Sequence, residues 1–205
     1  MPADLPTTKR VRMSREARRH QLLDAAAGLL VEIGPDNLTV EGLAAHAGVS
    51  KALPYAYFAN ADEIVDALFA REMGALDERV AQEVRAADTF DDRIRATLNA
   101  ICDVVLERGA LVATLLTPRP GTLGEQQRRR QENRQAFFGA LVREEFEIPE
   151  PTATYAVVMC MGATAEMVGL VAKGIAERDE IVDLYITMWR RGLEGVAERV
   201  RNQPS

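Results

Sequence analysis

The stretch Thr39-Val-Glu-Gly-Leu-Ala-Ala-His-Ala-Gly-Val-Ser-Lys-Ala-Leu-Pro-Tyr-Ala-Tyr-Phe58 decides the fold of this chain. Thr39 is a typical N-cap, and apolar residues follow it at the spacing of one helix face. Gly48 ends this first helix, because glycine readily adopts the left-handed conformation that closes a helix. Ser50 then provides a cap for a second short helix over residues 50–58. Two short helices joined by so tight a turn predict a helix-turn-helix over residues 39–58.

Helical patterns flank this motif on both sides. Ser14 precedes an apolar periodicity that stops at Gly34, and Asn60 with Glu63 forms a capping-box-like start for a fourth helix. Apolar residues make up 47% of the chain and aromatic residues only 5%, a composition that favours helices packed on helices. No stretch shows the alternation of a strand, so the predicted fold class is all-α. Further helices are expected over about residues 90–108, 110–116, 126–145 and 154–174, and from residue 179 onward.

Charge divides the chain into unlike parts. Residues 1–20 hold six basic and two acidic side chains, whereas 18 basic and 25 acidic side chains follow from Ala61 onward. Since local charge decides where a phosphate backbone can dock, the net charge of −6 does not exclude nucleic acid as a partner. We predict a flexible basic arm over residues 1–13, a helix-turn-helix domain over residues 14–60 and a second helical domain over residues 61–205.

Signals for secretion or for a membrane span are weak. Leu5 is the only large apolar residue among the first eight after Met1, so no signal peptide is predicted. The apolar stretch over residues 156–172 is interrupted by Glu166 and falls short of the roughly 20 residues that span a bilayer, which favours a buried helix. Cys102 and Cys160 each lie in an apolar helical pattern. We therefore expect two buried, reduced thiols in the cytoplasm, and no membrane association.

The stretch over residues 39–58 resembles the signature of the TetR family of transcription regulators. That signature joins Thr-(Thr/Val)-x-x-(Ile/Leu)-Ala-x-x-Ala-Gly-Val-Ser to a short helix ending in Tyr-x-(His/Tyr)-Phe, and the match extends from Arg15 to Leu68. Two positions depart from it. Pro54 stands where the family usually has leucine, and Ala61 stands where it often has a lysine that contacts phosphate. The resemblance implies a DNA-binding domain followed by a helical dimerisation and effector-binding domain.

The resemblance also implies which residues contact DNA. A recognition helix reads base edges in the major groove, while neighbouring groups hold phosphates. Hydroxyl groups at the two helix starts and the phenols near the motif's end would hold phosphates, and the three residues from Lys51 onward would face base edges. The arginines before and at the start of the first helix would follow the backbone or enter the minor groove. The implied contacts are Thr39, Ser50, Lys51, Ala52, Leu53, Tyr55, Tyr57, Arg10, Arg12 and Arg15.

A homodimer on a palindromic operator is implied as well, because one short recognition helix buries little surface. The last two helices are the expected interface, and the alternative is that both are buried within one monomer. A small apolar or amphipathic effector would bind in the second domain and release the operator. Repression is the expected mode of control, although the residues themselves leave activation open. The expected effector pocket, whose residues are equally typical of a plain core, comprises Leu115, Phe137, Phe138, Met159, Met161, Met167 and Trp189.

Two other classes of function compete with this one. An all-α enzyme is disfavoured, because neither His20 nor His46 belongs to a Glu-x-x-His motif and the two distant cysteines form no zinc site. No catalytic residue, metal or cofactor is predicted. A helical interaction module that has lost DNA binding is the second alternative, since Pro54 and Ala61 depart from the family. The basic run over residues 128–130 is expected to be a solvated helix face.

Overall fold

The structure, a computed structural model, describes residues 13–118 and 120–202. All regular secondary structure in these residues is helical, which confirms the all-α fold class. A 3-10 turn at Pro35–Asn37 follows the first helix. The chain divides into two compact units between Leu68 and Phe69, within the fourth helix. The α-helices of the described residues are α1 (Arg15–Ile33), α2 (Val40–His46), α3 (Ala52–Tyr55), α4 (Ala61–Ala86), α5 (Phe90–Leu116), α6 (Thr122–Phe146), α7 (Thr152–Ala172) and α8 (Arg178–Arg201).

Capping side chains set the helix boundaries of the first unit. Ser14 Oγ accepts a hydrogen bond from Ala17 N at 3.0 Å, and Thr39 Oγ1 accepts one from Gly42 N at 2.9 Å. Gly34 closes α1 with a φ of 75°, a left-handed value that glycine adopts at little cost. The predicted boundaries at these positions are confirmed. The most buried side chains of this unit are Leu22, Leu23, Leu30, Leu43, Phe58, Ile64 and Leu68.

The start of α4 is fixed by the predicted pair of polar residues. Glu63 N donates to Asn60 Oδ1 at 2.9 Å, and Glu63 Oε2 accepts a hydrogen bond from Ala59 N at 2.6 Å. Two main-chain N–H groups that no helical carbonyl can reach are thereby satisfied. The capping-box-like start is confirmed, with Ala59 in place of Asn60 as the main-chain donor.

The second helix of the helix-turn-helix is shorter than predicted. It spans only Ala52–Tyr55 rather than residues 50–58, and Ser50 does not cap it. Leu53 N donates to the main-chain oxygen of Ser50 at 3.0 Å, which forms a tight turn, and no side chain caps this helix. Pro54 has no N–H group, so it cannot continue the hydrogen-bond ladder at the next position. The recognition segment is therefore a single α-helical turn with tight turns on both sides.

The second unit is a bundle in which α5, α6, α7 and α8 pack around a common core. The Phe90 ring centroid lies 5.1 Å from that of Phe146 and 5.3 Å from that of Trp189. Tilted and edge-to-face rings at such separations attract each other beyond the effect of area burial. Other buried members of this core are Ile94, Leu98, Cys102, Val142, Ile148, Val157, Val182 and Leu193.

A kink divides α5 at Arg108, whose φ of −139° and ψ of 26° are not helical. The break expected between residues 108 and 110 is therefore a kink within one helix. Arg108 Nη1 lies 2.6 Å from Glu72 Oε2, and Arg71 Nη2 lies 2.8 Å from Glu72 Oε1. Because Glu72 is buried, these two guanidinium groups supply the compensation that a buried carboxylate needs.

Helix α7 is much more exposed than predicted. By length and composition it is the one described helix able to cross a membrane, a property shared by core helices of soluble proteins. Only 22% of its most apolar window is buried, so the prediction of a buried helix is wrong for a single chain. Tyr155 and Met159 of α7 are exposed, as are Leu184 and Met188 of α8. This exposure excludes the alternative that both last helices are buried within one monomer.

Both cysteines are free, and they differ in burial. Cys102 is buried as predicted, whereas Cys160 is only half-buried, so the prediction of two buried thiols is wrong for Cys160. Burial raises the pKa of the Cys102 thiol and raises the pKa of the Cys160 thiol to about 12. Both thiols are therefore protonated at neutral pH and lack the thiolate character of reactive cysteines. Over residues 13–118 and 120–202, no group of three His, Cys, Asp or Glu side chains is placed to hold a metal ion.

Candidate nucleic-acid interface and ligand cavity

The residues predicted to face base edges lie at the start of α3. Lys51 and Ala52 are exposed, Leu53 is half-buried and Pro54 is buried. Pro54 thus occupies the inward position of this turn as an apolar core residue. Because Pro54 is buried, the residues just before it, Lys51 and Ala52, form the outward face of this turn. Of these, Lys51 has the chemistry to read a base, because its ammonium group can donate to guanine.

The two hydroxyl-bearing residues of the predicted site have different roles in the fold. Thr39 is exposed, and its hydroxyl oxygen already accepts the hydrogen bond that caps α2. A hydroxyl that accepts can still donate its own proton, so Thr39 keeps a donor for a phosphate oxygen. Ser50 is exposed two residues after Gly48, whose φ of 65° forms the turn. Since Ser50 caps no helix, its whole hydroxyl is available on this surface.

Tyr55 is half exposed, and its phenol is already engaged. Tyr55 Oη donates to Glu41 Oε1 at 2.6 Å. This hydrogen bond lowers the pKa of the Glu41 carboxyl and raises the pKa of the Tyr55 phenol. The bond is intact between those two pKa values, a window that includes neutral pH. A phosphate approaching Tyr55 also meets the Glu41 carboxylate, so a backbone contact through this phenol requires the Glu41 side chain to turn away.

We expect Tyr55→Phe to raise the pKa of Glu41 toward its ordinary value, because the variant removes the donor that stabilises the carboxylate. A ¹³C NMR titration of the Glu41 side-chain carboxyl measures the change. The Tyr55–Glu41 hydrogen bond stabilises the folded state above the ordinary pKa of Glu41. This stabilisation is lost as pH falls through the lowered pKa of the Glu41 carboxyl. Tyr57→Phe is the matched control and should leave the titration of Glu41 unchanged. An unchanged midpoint in Tyr55→Phe would show that the hydrogen bond does not form in solution.

Two arginines of α1 lie against the end of the recognition segment. Arg15 Cζ is 5.8 Å from the Tyr57 ring centroid, and Arg19 Cζ is 5.6 Å from the Phe58 ring centroid. These cation–π contacts hold one positive charge beside the half-exposed Tyr57 and another beside the buried Phe58. Arg19 is not among the predicted contacts, although its i, i+4 spacing from Arg15 puts both on one helix face. The remaining predicted contacts of the arm lie outside the described residues: Arg10 and Arg12.

The second unit contains a cavity of about 520 Å³ formed by α4, α5 and α6. Its wall is mainly apolar, with Phe69 from α4 and Phe137 and Phe138 from α6. Phe137 and Phe138 are also two of the seven predicted pocket residues. Arg129 and Arg134 of α6 line the same cavity. A space of this volume with apolar walls and a few charged groups is typical of small-molecule sites.

The other predicted pocket residues lie elsewhere in the second unit. Leu115 and Met167 are buried side chains. Met161 and Trp189 line a second chamber of about 30 Å³. Met159 is exposed and lines, together with Trp189, a groove of about 320 Å³ formed by α7 and α8. The seven predicted residues therefore do not surround one common space.

The basic run over residues 128–130 is only partly solvated. The Arg128 side chain is 65% exposed, as expected for a solvated face. The Arg130 side chain is only 13% exposed and forms two hydrogen bonds with Asp77, Nε to Oδ2 at 3.0 Å and Nη2 to Oδ1 at 2.6 Å. The prediction of a solvated face is therefore wrong for Arg130. Its bidentate pair with Asp77 connects α6 to α4 at the cavity.

Comparison with known proteins identifies the first unit. Residues 22–68 match the sequence model described as "Bacterial regulatory proteins, tetR family". The region that holds the helix-turn-helix therefore matches the tetR family. This match confirms the predicted family resemblance and the helix-turn-helix class of these residues. The matched proteins are regulators, which supports the prediction of a regulator rather than an enzyme.

One curated relative matches just under half of the chain. It is 33% identical over 94 residues to "HTH-type transcriptional activator FasR" of Mycolicibacterium smegmatis, and the alignment covers 46% of this chain and 43% of FasR. The chain thus spans less than half the length of this curated relative.

Two solved structures agree over most of the chain. A TetR-like transcriptional regulator from Rhodococcus sp. RHA1 has a TM-score of 0.76 at 22% identity, covering 90% of this chain and 100% of that chain. The regulator FadR from Bacillus subtilis, solved with stearoyl-CoA, has a TM-score of 0.69 at 20% identity, covering 82% and 97%. At these identities the likeness shows a shared fold alone.

Proposed function

We propose that the chain is a transcriptional repressor that binds a palindromic operator in double-stranded DNA as a homodimer, in the cytoplasm, and that a small apolar or amphipathic effector releases it. The observation that carries this proposal is the α3 segment, in which Lys51, Ala52 and Tyr55 are exposed together while Pro54 is buried. Arg15, beside Tyr57, adds positive charge next to this segment. The proposed DNA contacts within the described residues are Thr39, Ser50, Lys51, Ala52, Leu53, Tyr55, Tyr57 and Arg15.

Domain roles follow the two helical parts of the chain. We assign DNA binding to residues 14–60, and dimerisation and effector binding to residues 61–205. The first compact unit extends somewhat further, to Leu68, and the first turns of α4 bury Ile64 and Leu68. The opening turns of α4 therefore belong structurally with the DNA-binding residues.

Two copies would pair through α7 and α8. Small exposed residues of α7, Gly162 and Ala163, allow a second helix to approach closely. A contiguous exposed apolar surface marks an interaction site, and a two-fold dimer buries the same surface on both copies. We define the dimer surface by the exposed apolar residues Tyr155, Val158, Met159, Leu170, Leu184 and Met188.

The effector would bind in the cavity formed by α4, α5 and α6. Apolar walls beside cationic side chains suit a molecule with a hydrocarbon chain and a polar head. FadR, solved with stearoyl-CoA, is one fold relative with a ligand of that kind, which supports the same broad class here. α4 is continuous from Ala61 to Ala86 and contributes Phe69 and Met73 to the cavity wall. A ligand that displaces α4 would then lower DNA affinity by a coupling of about 1–3 kcal/mol.

We expect purified protein to enrich one palindromic motif from a pool of random DNA duplexes. The variant Lys51→Ala should lower the sequence specificity of this enrichment. Losing the Lys51 ammonium should remove a guanine preference in each half-site and cost about 1–3 kcal/mol of affinity. Binding is measured by fluorescence anisotropy at one fixed salt concentration, because phosphate contacts make affinity strongly salt-dependent. Lys173→Ala is the matched control, since Lys173 is exposed at the end of α7 and outside the DNA-binding unit.

Two results would contradict parts of this proposal. Weak, salt-sensitive binding without an enriched motif would favour a helical interaction module that has lost sequence-specific DNA binding. The direction of control is tested with a reporter gene behind the enriched motif. Expression should rise when the regulator is deleted. A fall would mean activation, the mode for which the relative FasR is named.

A further inference from the structure

One guanidinium group lies in the wall of the cavity formed by α4, α5 and α6. Arg134 is half-buried and lines both the cavity of about 520 Å³ and the adjoining chamber of about 30 Å³. Thr97, Ile101 and Phe138 line both spaces as well. Arg134 therefore lies where the two spaces meet. The wall of the larger space is otherwise mostly apolar.

Arg134 has no bonded carboxylate among the described residues. Asp77, the acidic residue that lines the cavity, gives both carboxylate oxygens to Arg130. Asp77 attracts Arg134 without forming a hydrogen bond or an ion pair with it, while burial and the neighbouring Arg130 lower the pKa of Arg134. A half-buried cation in this situation is unfavourable unless an anion is supplied from elsewhere.

The charge of this wall and the geometry of its guanidinium groups indicate which kind of anion would bind there. Arg129, Arg130 and Arg134 line the cavity against the single acid Asp77, so the balance is positive. A guanidinium presents two parallel N–H groups, which match the two oxygens of a carboxylate. A neutral hydrocarbon in the same place would leave Arg134 desolvated and unpaired.

We propose that the effector is a free carboxylic acid with a hydrocarbon chain, and that its carboxylate binds Arg134 where the two spaces meet. The inference rests on the proposed function, because it names the chemical class of the effector for that same cavity. The hydrocarbon chain lies against Phe69, Met73 and Phe137. A coenzyme A thioester fits this arrangement poorly, since its acyl carbon is neutral and its charges are phosphates at the far end of a large head.

Isothermal titration calorimetry on the full-length protein tests the proposal with three probes of equal chain length: dodecanoate, 1-dodecanol and dodecanoyl-CoA. Dodecanoate should bind at least about tenfold more tightly than the alcohol, as expected for a hydrogen-bonded charge pair. Arg134→Gln should weaken the binding of dodecanoate by a similar factor and leave the binding of 1-dodecanol unchanged. Arg128→Gln on the same helix is the matched control, because Arg128 is exposed and does not line the cavity. The acid-to-alcohol comparison on the unaltered protein remains decisive if Arg134→Gln folds poorly.

The outcomes separate this inference from the proposed function. Equal binding of acid and alcohol, or dodecanoate binding that is unaffected by Arg134→Gln, would overturn the carboxylate assignment. If dodecanoyl-CoA alone binds and releases operator DNA, the carboxylate assignment fails while the effector-responsive regulator stands. If none of the three probes binds and none releases DNA, both the inference and the proposed effector cavity fail.

Discussion

Replacing Met188 by aspartate should convert the proposed homodimer into monomers and lower operator affinity at least about a hundredfold. Met188 is 66% exposed on α8 in a single chain, within the dimer surface defined above. Pairing would bury the introduced carboxylate against apolar side chains, which is strongly unfavourable. Two linked reading heads bind far more tightly than one, so loss of the dimer removes that gain. Light scattering gives the mass in solution, and fluorescence anisotropy gives the DNA affinity.

Leu106→Asp provides the control for this experiment. Leu106 is an exposed apolar residue of α5 in the same unit, and it does not belong to the dimer surface. The control should remain dimeric and bind the operator normally, because it places the same charge on a face that stays in water. A Met188→Asp protein that is still a dimer with unchanged affinity would show that α8 is not the pairing surface.

Truncating Phe58 to alanine should destabilise the first unit by about 3–5 kcal/mol and abolish the proposed operator binding. Phe58 is only 1% exposed, so its removal deletes a large buried ring and leaves a cavity in a small core. The contact with the Arg19 guanidinium is lost as well. Urea unfolding monitored by NMR signals of residues 13–68 measures the stability of this unit separately. The mass in solution should remain that of the proposed dimer, because the proposed dimer surface lies in α7 and α8.

Phe137→Ala is the matched truncation in the second unit. Phe137 is 45% exposed and lies on the cavity wall, so its removal deletes much less buried contact. We expect operator binding to survive in this variant. A Phe58→Ala protein that loses less than about 1 kcal/mol would mean that the small core collapses around the deletion.

Local interactions made much of the first unit predictable from sequence. Ser14, Thr39 and Asn60 cap helices with their own side chains, so their effect depends on residues three positions away. The length of α3 was harder to predict, because Ser50 could cap a longer helix whereas Pro54 could disturb its first turn. A proline near a helix start is tolerated in general, so the sequence does not show how far the helix extends. The structure shows that Pro54 is buried and that α3 has only one turn.

The burial of the second unit depends on tertiary contacts that periodicity does not specify. Apolar spacing on α7 shows that the helix must be covered, but it does not show whether the cover belongs to the same chain. The same limit applies to the cavity. Phe137 lines it while Met167 is in the core, and both are apolar residues at helical spacing. Arg130 and Arg128 are two residues apart on one helix, and only the position of Asp77 on α4 makes one buried and the other solvated.

The location of Trp189 gives the protein an intrinsic optical reporter. The chain has one tryptophan, so all indole emission originates at this side chain. Trp189 lines the 30 Å³ chamber beside Arg134 on one side and the groove of α7 and α8 on the other. We therefore expect its emission to respond both to a ligand that enters the proposed effector site and to a second copy that covers the groove in the proposed dimer. Emission measured while the protein is diluted without ligand reports pairing of the subunits. Emission measured at fixed protein concentration while ligand is added reports ligand binding.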